Sequence, residues 1–155
     1  MRNIARDIED RWKSVLTVSL LLVALGCSYK GADKMDSNGK ELMPCPGTPN
    51  CVSSLSVDES FRVKPFSTGT DARASWQRLH DVVSGMKRSK VVAFDDRYMH
   101  VEFRSLVFRF VDDVEFLLDA ERGEIHVRSA SRVGNSDLGV NRRRVEEIRN
   151  LFGEE

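Results

Sequence analysis

Histidine, cysteine, tryptophan and tyrosine are scarce in this chain: three, three, two and two of 155 residues. A structural zinc site alone takes four Cys or His ligands, so neither a metal nor any other cofactor is expected. Charge of one sign is not in excess either, with 24 Lys+Arg against 24 Asp+Glu. That balance removes any global pull toward nucleic acid or an anionic surface. Leaving out residues 1–27 keeps it, at 20 basic and 21 acidic side chains. Arg142-Arg-Arg144 is the one basic run of three, too little for a nucleic-acid interface. No apolar run approaches the roughly 20 residues that span a bilayer as a helix. No Gly-x-Ser-x-Gly elbow, His-Glu-x-x-His pair or phosphate-binding glycine loop occurs. Repeats and low-complexity tracts are absent too.

What is present begins at the N-terminus. Arg2, Arg6, Arg11 and Lys13 precede an apolar run from Val15 to Leu25. The run has the length of a secretory h-region and about half that of a membrane span. Ala24-Leu-Gly-Cys27 follows and resembles a bacterial lipobox, whose cysteine is lipidated and becomes the mature N-terminus. Two features depart from that pattern. Ala24 stands where leucine is usual, and the leader carries Asp7, Glu9 and Asp10; a start codon further along would remove those acids. A lipid anchor at Cys27 is the expectation, with a cleaved soluble chain and an uncleaved anchor as alternatives. Ser28 is not the aspartate that retains lipoproteins at the inner membrane, so an outer-membrane lipoprotein facing the periplasm is expected, inner-membrane anchoring being the other option.

With Cys27 lipidated, Cys45 and Cys51 remain, in the turn-rich Cys45-Pro-Gly-Thr-Pro-Asn-Cys51. An oxidising compartment favours a disulfide between them. Free thiols, or half of a zinc site lacking a nearby histidine, are the alternatives.

Residues 28–44 are polar and aperiodic and read as a flexible tether. Residues 45–155 read as one domain. Phe61-Arg-Val-Lys-Pro65 is a short strand candidate. Thr70 or Asp71 can cap a helix carrying Ala72, Trp76, Leu79, Val82 or Val83, and Met86 at helical spacing. Lys90–Asp95 is a strand, turned by Asp95-Asp-Arg97. Tyr98–Phe103 alternates, with Met99, Val101 and Phe103 on one face and His100, Glu102 and Arg104 on the other. The pattern then predicts a strand over 106–110 with Leu106, Phe108 and Phe110 inward, and a tight turn at Asp112-Asp113. Val114, Phe116 and Leu118, then Ile125, Val127 and Ser129, continue the inward face around a turn at 120–123. A final helix over about 141–152 buries Val145, Ile148, Leu151 and Phe152, with Asn141 as its N-cap. Consecutive strands on short turns pair antiparallel. The expected fold is α+β: one mostly antiparallel sheet with two helices on one face.

Cys45-Pro-Gly-Thr-Pro-Asn-Cys-Val-Ser-Ser54, Phe108-Arg-Phe-Val-Asp-Asp-Val-Glu-Phe116, Ile125-His-Val-Arg-Ser-Ala-Ser-Arg-Val-Gly134 and Asp137-Leu-Gly-Val-Asn-Arg-Arg-Arg-Val145 occur in that order. Together they resemble the family catalogued as domain of unknown function 1499, over about residues 45–152. Its members are typically small exported bacterial proteins or lipoproteins, with relatives in plastids. The resemblance implies export and a shared fold, and no activity.

Three candidate sites remain. Arg128, Arg132, Arg142 and Arg144 could converge on an anion beside Ser129, Ser131, Asn141 and the helix start. The competing reading pairs the same arginines with Asp112, Asp113, Glu115 and Asp137. The polar sheet face, with His100, Glu102, Arg109, Glu115, His126 and Arg128, could hold an acid/base pair or be an ordinary solvated face with cross-strand pairs such as Arg109–Glu115. His80-Asp81 and Cys51 are the remaining nucleophile-chemistry candidates, Cys51 being removed if oxidised. The balance favours a membrane-tethered periplasmic module without catalysis that binds an anion or an envelope partner. The alternative is an envelope hydrolase working on the polar face.

Overall fold

In the computed structural model the described residues are 41–153. Residues 1–40, with the expected leader, Cys27 and most of the expected tether, lie outside them. Among the described residues the chain order is β1 (Cys51–Ser53), β2 (Phe66–Ser67), α1 (Ala72–Gly85), β3 (Ser89–Phe94), β4 (Tyr98–Arg104), β5 (Val111–Asp119), β6 (Glu124–Ser131) and α2 (Val140–Phe152). The sheet order is β1-β6-β5-β4-β3, and β2 also pairs along β6. All strand pairs are antiparallel. This is an α+β fold.

The alternation places the core. Met99, Val101, Phe103, Val114, Phe116, Leu118, Ile125 and Val127 line the inner face and pack against both helices. From α1 come Trp76, Leu79 and Val83, and from α2 Val145, Ile148 and Phe152. Each such side chain contributes roughly 1.5–3 kcal/mol by leaving water. The helix α1 starts where the Asp71 carboxylate accepts the Ala74 N–H at 2.9 Å, so Asp71, not Thr70, is the cap. Past a bulge between Val91 and Ala93 in β3, Phe94 pairs with Met99, and its ring, 39% exposed, stacks on Trp76.

Cys45 and Cys51 are joined by a disulfide. Closing so short a loop stabilises the fold by about 2 kcal/mol on the chain-entropy estimate. Leu42, which the composition places in the tether, packs against Tyr98 and Leu117 on the outer face of the sheet.

Five local expectations are corrected. Phe61–Pro65 is not a strand: Arg62 makes an isolated bridge to Ser53, and the strand begins after the proline, at Phe66. Residues 106–110 are not a strand either, and Leu106, Phe108 and Phe110 do not point inward but are exposed. The β4–β5 ladder ends at Arg104↔Val111. The left-over residues close as a tip, with Ser105 N–H donating to Phe110 O and Phe110 N–H to Ser105 Oγ, both at 2.9 Å. Asp112 and Asp113 are therefore paired residues of β5, opposite Phe103 and Glu102, not a turn. Asn141 is not the N-cap of α2. That position is Gly139, at φ 77, a left-handed conformation that costs glycine little. Finally, Leu151 is exposed, and the aliphatic stem of Arg149 is buried with the core stripe instead.

Candidate functional site

The N-terminus of α2 sits on a buried polar knot. The Asp137 carboxylate accepts the N–H groups of Gly139 and Asn141 at 2.8 and 2.7 Å, an acid placed where the helix dipole favours one. Inside that turn, Asn141 Nδ2 donates to Asn50 O and to Ser131 Oγ, each at 3.0 Å. Its Oδ1 accepts from Ser129 Oγ at 2.6 Å and from Arg144 at 2.8 Å. Arg144 then reaches Asp112 at 2.5 Å and lies over the Phe103 ring, 4.9 Å from its centroid. Asn50 Nδ2 donates to Gly134 O at 2.6 Å and ties the disulfide loop to the segment after β6. Every side-chain polar atom of Asn141 thus has a partner, which buried polar groups require.

The opposite, outer face carries a ladder of charges. Arg132 makes a two-pronged pair with Asp113, at 2.8 and 2.8 Å, and reaches Glu102 at 2.6 Å. His100 Nε2 lies 2.6 Å from the same Asp113. Glu115 accepts from Tyr98 Oη at 2.7 Å and from Arg128 at 3.0 Å. Arg109 is in the exposed tip and not opposite Glu115, whose cross-strand partner is Arg128. His126 is only 4% exposed. Its Nδ1 lies 3.2 Å from Ser54 Oγ and its Nε2 3.5 Å from Glu124. His80, on α1, sits against Asp81 at 3.1 Å and over the Phe94 ring.

The four arginines do not meet at one point. Arg128 and Arg132 lie on the outer face, and Arg144 lies in the knot between sheet and helix. Arg142 donates to the carbonyls of Arg62 and Ser60 at 2.8 and 2.7 Å, fastening the 58–62 loop to α2. Each of the four is engaged by an acceptor within the domain. Sequence reasoning missed Arg149. It lies over the Phe66 ring at 4.5 Å and donates to Lys64 O and Pro65 O at 2.6 and 3.1 Å. Its one signal is that it follows Val145 and Ile148 on the buried stripe. Asn50 was missed as well; its signal is its place before Cys51, where a bent loop must satisfy its own backbone. Among the described residues no group of three or more His, Cys, Asp or Glu side chains could hold a metal ion.

The family model described as protein of unknown function, DUF1499, matches residues 41–152. The chain belongs to this family. No curated protein and no solved structure matches it.

The four DUF1499 stretches quoted from the sequence meet physically at the knot. Asn50 comes from the first, Asp112 from the second, Ser129 and Ser131 from the third, and Asp137, Asn141 and Arg144 from the fourth. What they build together is a joint between the disulfide loop, the end of β6 and the start of α2.

The outer ladder of the DUF1499 domain makes stability depend on acid. The Arg132 guanidinium holds the Asp113 carboxyl below the usual carboxylate range, with His100 adding to it and burial opposing. Arg132, then Arg104, do the same for Glu102. The unfolded values are about 3.9 and 4.3, and the folded ones lie lower. The stabilisation is therefore complete above about pH 5 and is lost as pH falls through 4 toward the folded values. Arg132→Gln is expected to flatten the fall of thermal midpoint between about pH 5 and pH 2. An unchanged acid limb would show that the ladder carries no linkage.

Proposed function

We propose that this chain is a lipid-anchored module of the cell envelope, held through Cys27 in the outer membrane and facing the periplasm. It binds an anionic ligand or an envelope protein and catalyses nothing itself. The observation that carries the reading is the Cys45–Cys51 disulfide. It suits an oxidising compartment and leaves Cys27, directly after an apolar leader, as the one cysteine for lipidation. The absence of catalysis is supported by the histidines on the outer face. His100 shares Asp113 with a two-pronged arginine, and His126 is enclosed, whereas a hydrolase presents its base to a substrate.

Cys27→Ala tests the anchor. The variant is expected to lose acyl labelling and leave the membrane fraction. Persistent membrane association would favour an uncleaved leader.

One observation favours the hydrolase alternative: Ser54, His126 and Glu124 stand in sequence at 3.2 and 3.5 Å. Against it, Ser54 Oγ accepts the Val127 N–H at 3.0 Å and bridges the strands like a backbone group. Ester hydrolysis by the purified chain that Ser54→Ala abolishes would overturn the non-catalytic reading.

A further inference from the structure

The cations that remain available are Lys87 and Arg88, outside the set of arginines singled out by the sequence. A half-open cleft of about 800 Å³ runs between the end of α1, the start of α2 and the end of the sheet. Lys87, Arg88, Arg104 and Arg143 line it, Arg104 already paired with Glu102 at 3.2 Å and Arg143 donating to Leu138 O at 2.8 Å, with Arg144 and Asp112 paired at its floor. Asp81 and Glu147 are the other carboxylates on its wall, so cations outnumber acids there. Lys87 and Arg88 are exposed and enter none of the ion pairs described among residues 41–153. Arg88 is held at φ 65, left-handed for a non-glycine residue. In that conformation its carbonyl accepts the Arg104 N–H at 3.1 Å. Strain of this kind persists where surrounding structure demands it and clusters at functional places.

Beside these cations stands the β4–β5 tip. Ser105 belongs both to the cleft wall and to the hydrogen bonds that close the tip. Leu106, Val107 and Phe108 are 74, 76 and 74% exposed, and Phe110 is 52% exposed. The Phe108 and Phe110 rings stack at 5.5 Å, with Arg109 between them in the chain, also left-handed at φ 54. Four large apolar side chains exposed together on one tip form a patch of the kind that marks an interaction site. Apolar residues on a tip flanked by Arg and Lys fit the boundary between acyl chains and anionic headgroups.

We infer that the cleft and the tip together dock on a bilayer: Leu106, Val107, Phe108 and Phe110 enter the acyl boundary while Lys87 and Arg88 take the phosphate of an anionic phospholipid. The chain length permits this at the anchoring membrane. Leu42 packs at the Tyr98 end of β4, and the tip leaves the other end, about 20 Å away at strand rise. A chain of the length of residues 28–40 can reach at most about 45 Å, enough to let the domain lie with its tip toward the same bilayer. The inference rests on the membrane-facing part of the reading above, and its test separates the two.

The chain carrying Phe108→Trp, extracted from membranes of cells that express it and so, on the reading above, starting at a lipidated Cys27 and lacking Trp12, is mixed with vesicles of phosphatidylglycerol and brominated phosphatidylcholine. Trp76 is buried and stays out of reach of the bromines. The emission of the new tryptophan is expected to fall about twofold or more relative to unbrominated vesicles, and to recover when Lys87→Glu and Arg88→Asn are added. Asparagine is used at 88 because it tolerates positive φ. No quenching, with the chain floating among the vesicles, would overturn the docking and leave the anchor standing. A chain that does not float would overturn both. Equal quenching in purely neutral vesicles would remove the role given to the cations. Release by millimolar inorganic phosphate at constant ionic strength would make the cleft a soluble-phosphate site and overturn the lipid assignment.

Discussion

Arg144→Ala is expected to cost about 3–5 kcal/mol of folding stability, because it strands a buried carboxylate. The Arg144 and Asp112 side chains are 12 and 10% exposed and meet at 2.5 Å. Removing the guanidinium also orphans the Asn141 Oδ1 bond and uncovers the Phe103 ring. For a domain of this size the thermal midpoint should fall by about 10–20 °C. The pair as a whole need not be stabilising, since taking two charges out of water offsets their attraction. The double variant Arg144→Met with Asp112→Leu should therefore recover most of the loss. Both midpoints are read from thermal unfolding in a buffer free of multivalent anions. A single variant that melts within about 1 °C of the parent would mean that Asp112 is hydrated once the arginine is gone, and that the knot is not a joint. Anions added to the parent bear on a separate question. A rise in midpoint that Arg144→Ala abolishes would restore this arginine as a ligand site.

Phe66→Ala should be about as damaging, at about 3–5 kcal/mol, by the transfer and cavity terms for a fully buried phenylalanine. Phe66 is completely buried and belongs to a strand of only two residues. Backbone pairing that short cannot hold the segment. The side chain does so, edge-on to Phe116 and Phe152 at 6.0 and 5.8 Å and under the Arg149 guanidinium. Losing it frees Arg149 from its stack as well as opening a cavity. Phe66→Leu keeps most of the volume and should cost about 1–2 kcal/mol. Urea midpoints of both variants check this, with the slope held to the parent value. Equal losses for alanine and leucine would place the cost in ring stacking rather than in volume.

The legible parts of this fold were those governed by one rule. In β4 every second residue is apolar and the strand is buried on one face, so Met99, Val101 and Phe103 reveal their orientation. In α1, Trp76, Leu79 and Val83 recur at helical spacing behind an aspartate cap. Where two rules competed, the sequence misled. Leu106, Phe108 and Phe110 alternate like a strand, yet the register set by Phe103↔Asp112 ends the ladder before them. Asp112-Asp113 has turn chemistry, but each aspartate has an arginine waiting on its own face, Arg144 inside and Arg132 outside. Asn141 has the composition of a cap. Asp137 caps the start of the helix from farther back, through the Gly139 and Asn141 N–H groups, and the Asn141 side chain goes to the knot instead. Partners of that kind are distant in sequence, and no local window contains them. The same limit explains the arginines. The sequence shows Arg128, Arg132, Arg142 and Arg144 within a short stretch but not that sheet and helix send them to different faces.

The measurement closest to the central claim is the intact mass of the chain extracted from membranes of cells that express it. Anchoring through Cys27 predicts a polypeptide that starts at Cys27, carries glyceryl and acyl groups on that residue, and keeps the Cys45–Cys51 disulfide. A membrane-bound chain that still begins at Met1, or one that starts near Cys27 with no added mass, would contradict it.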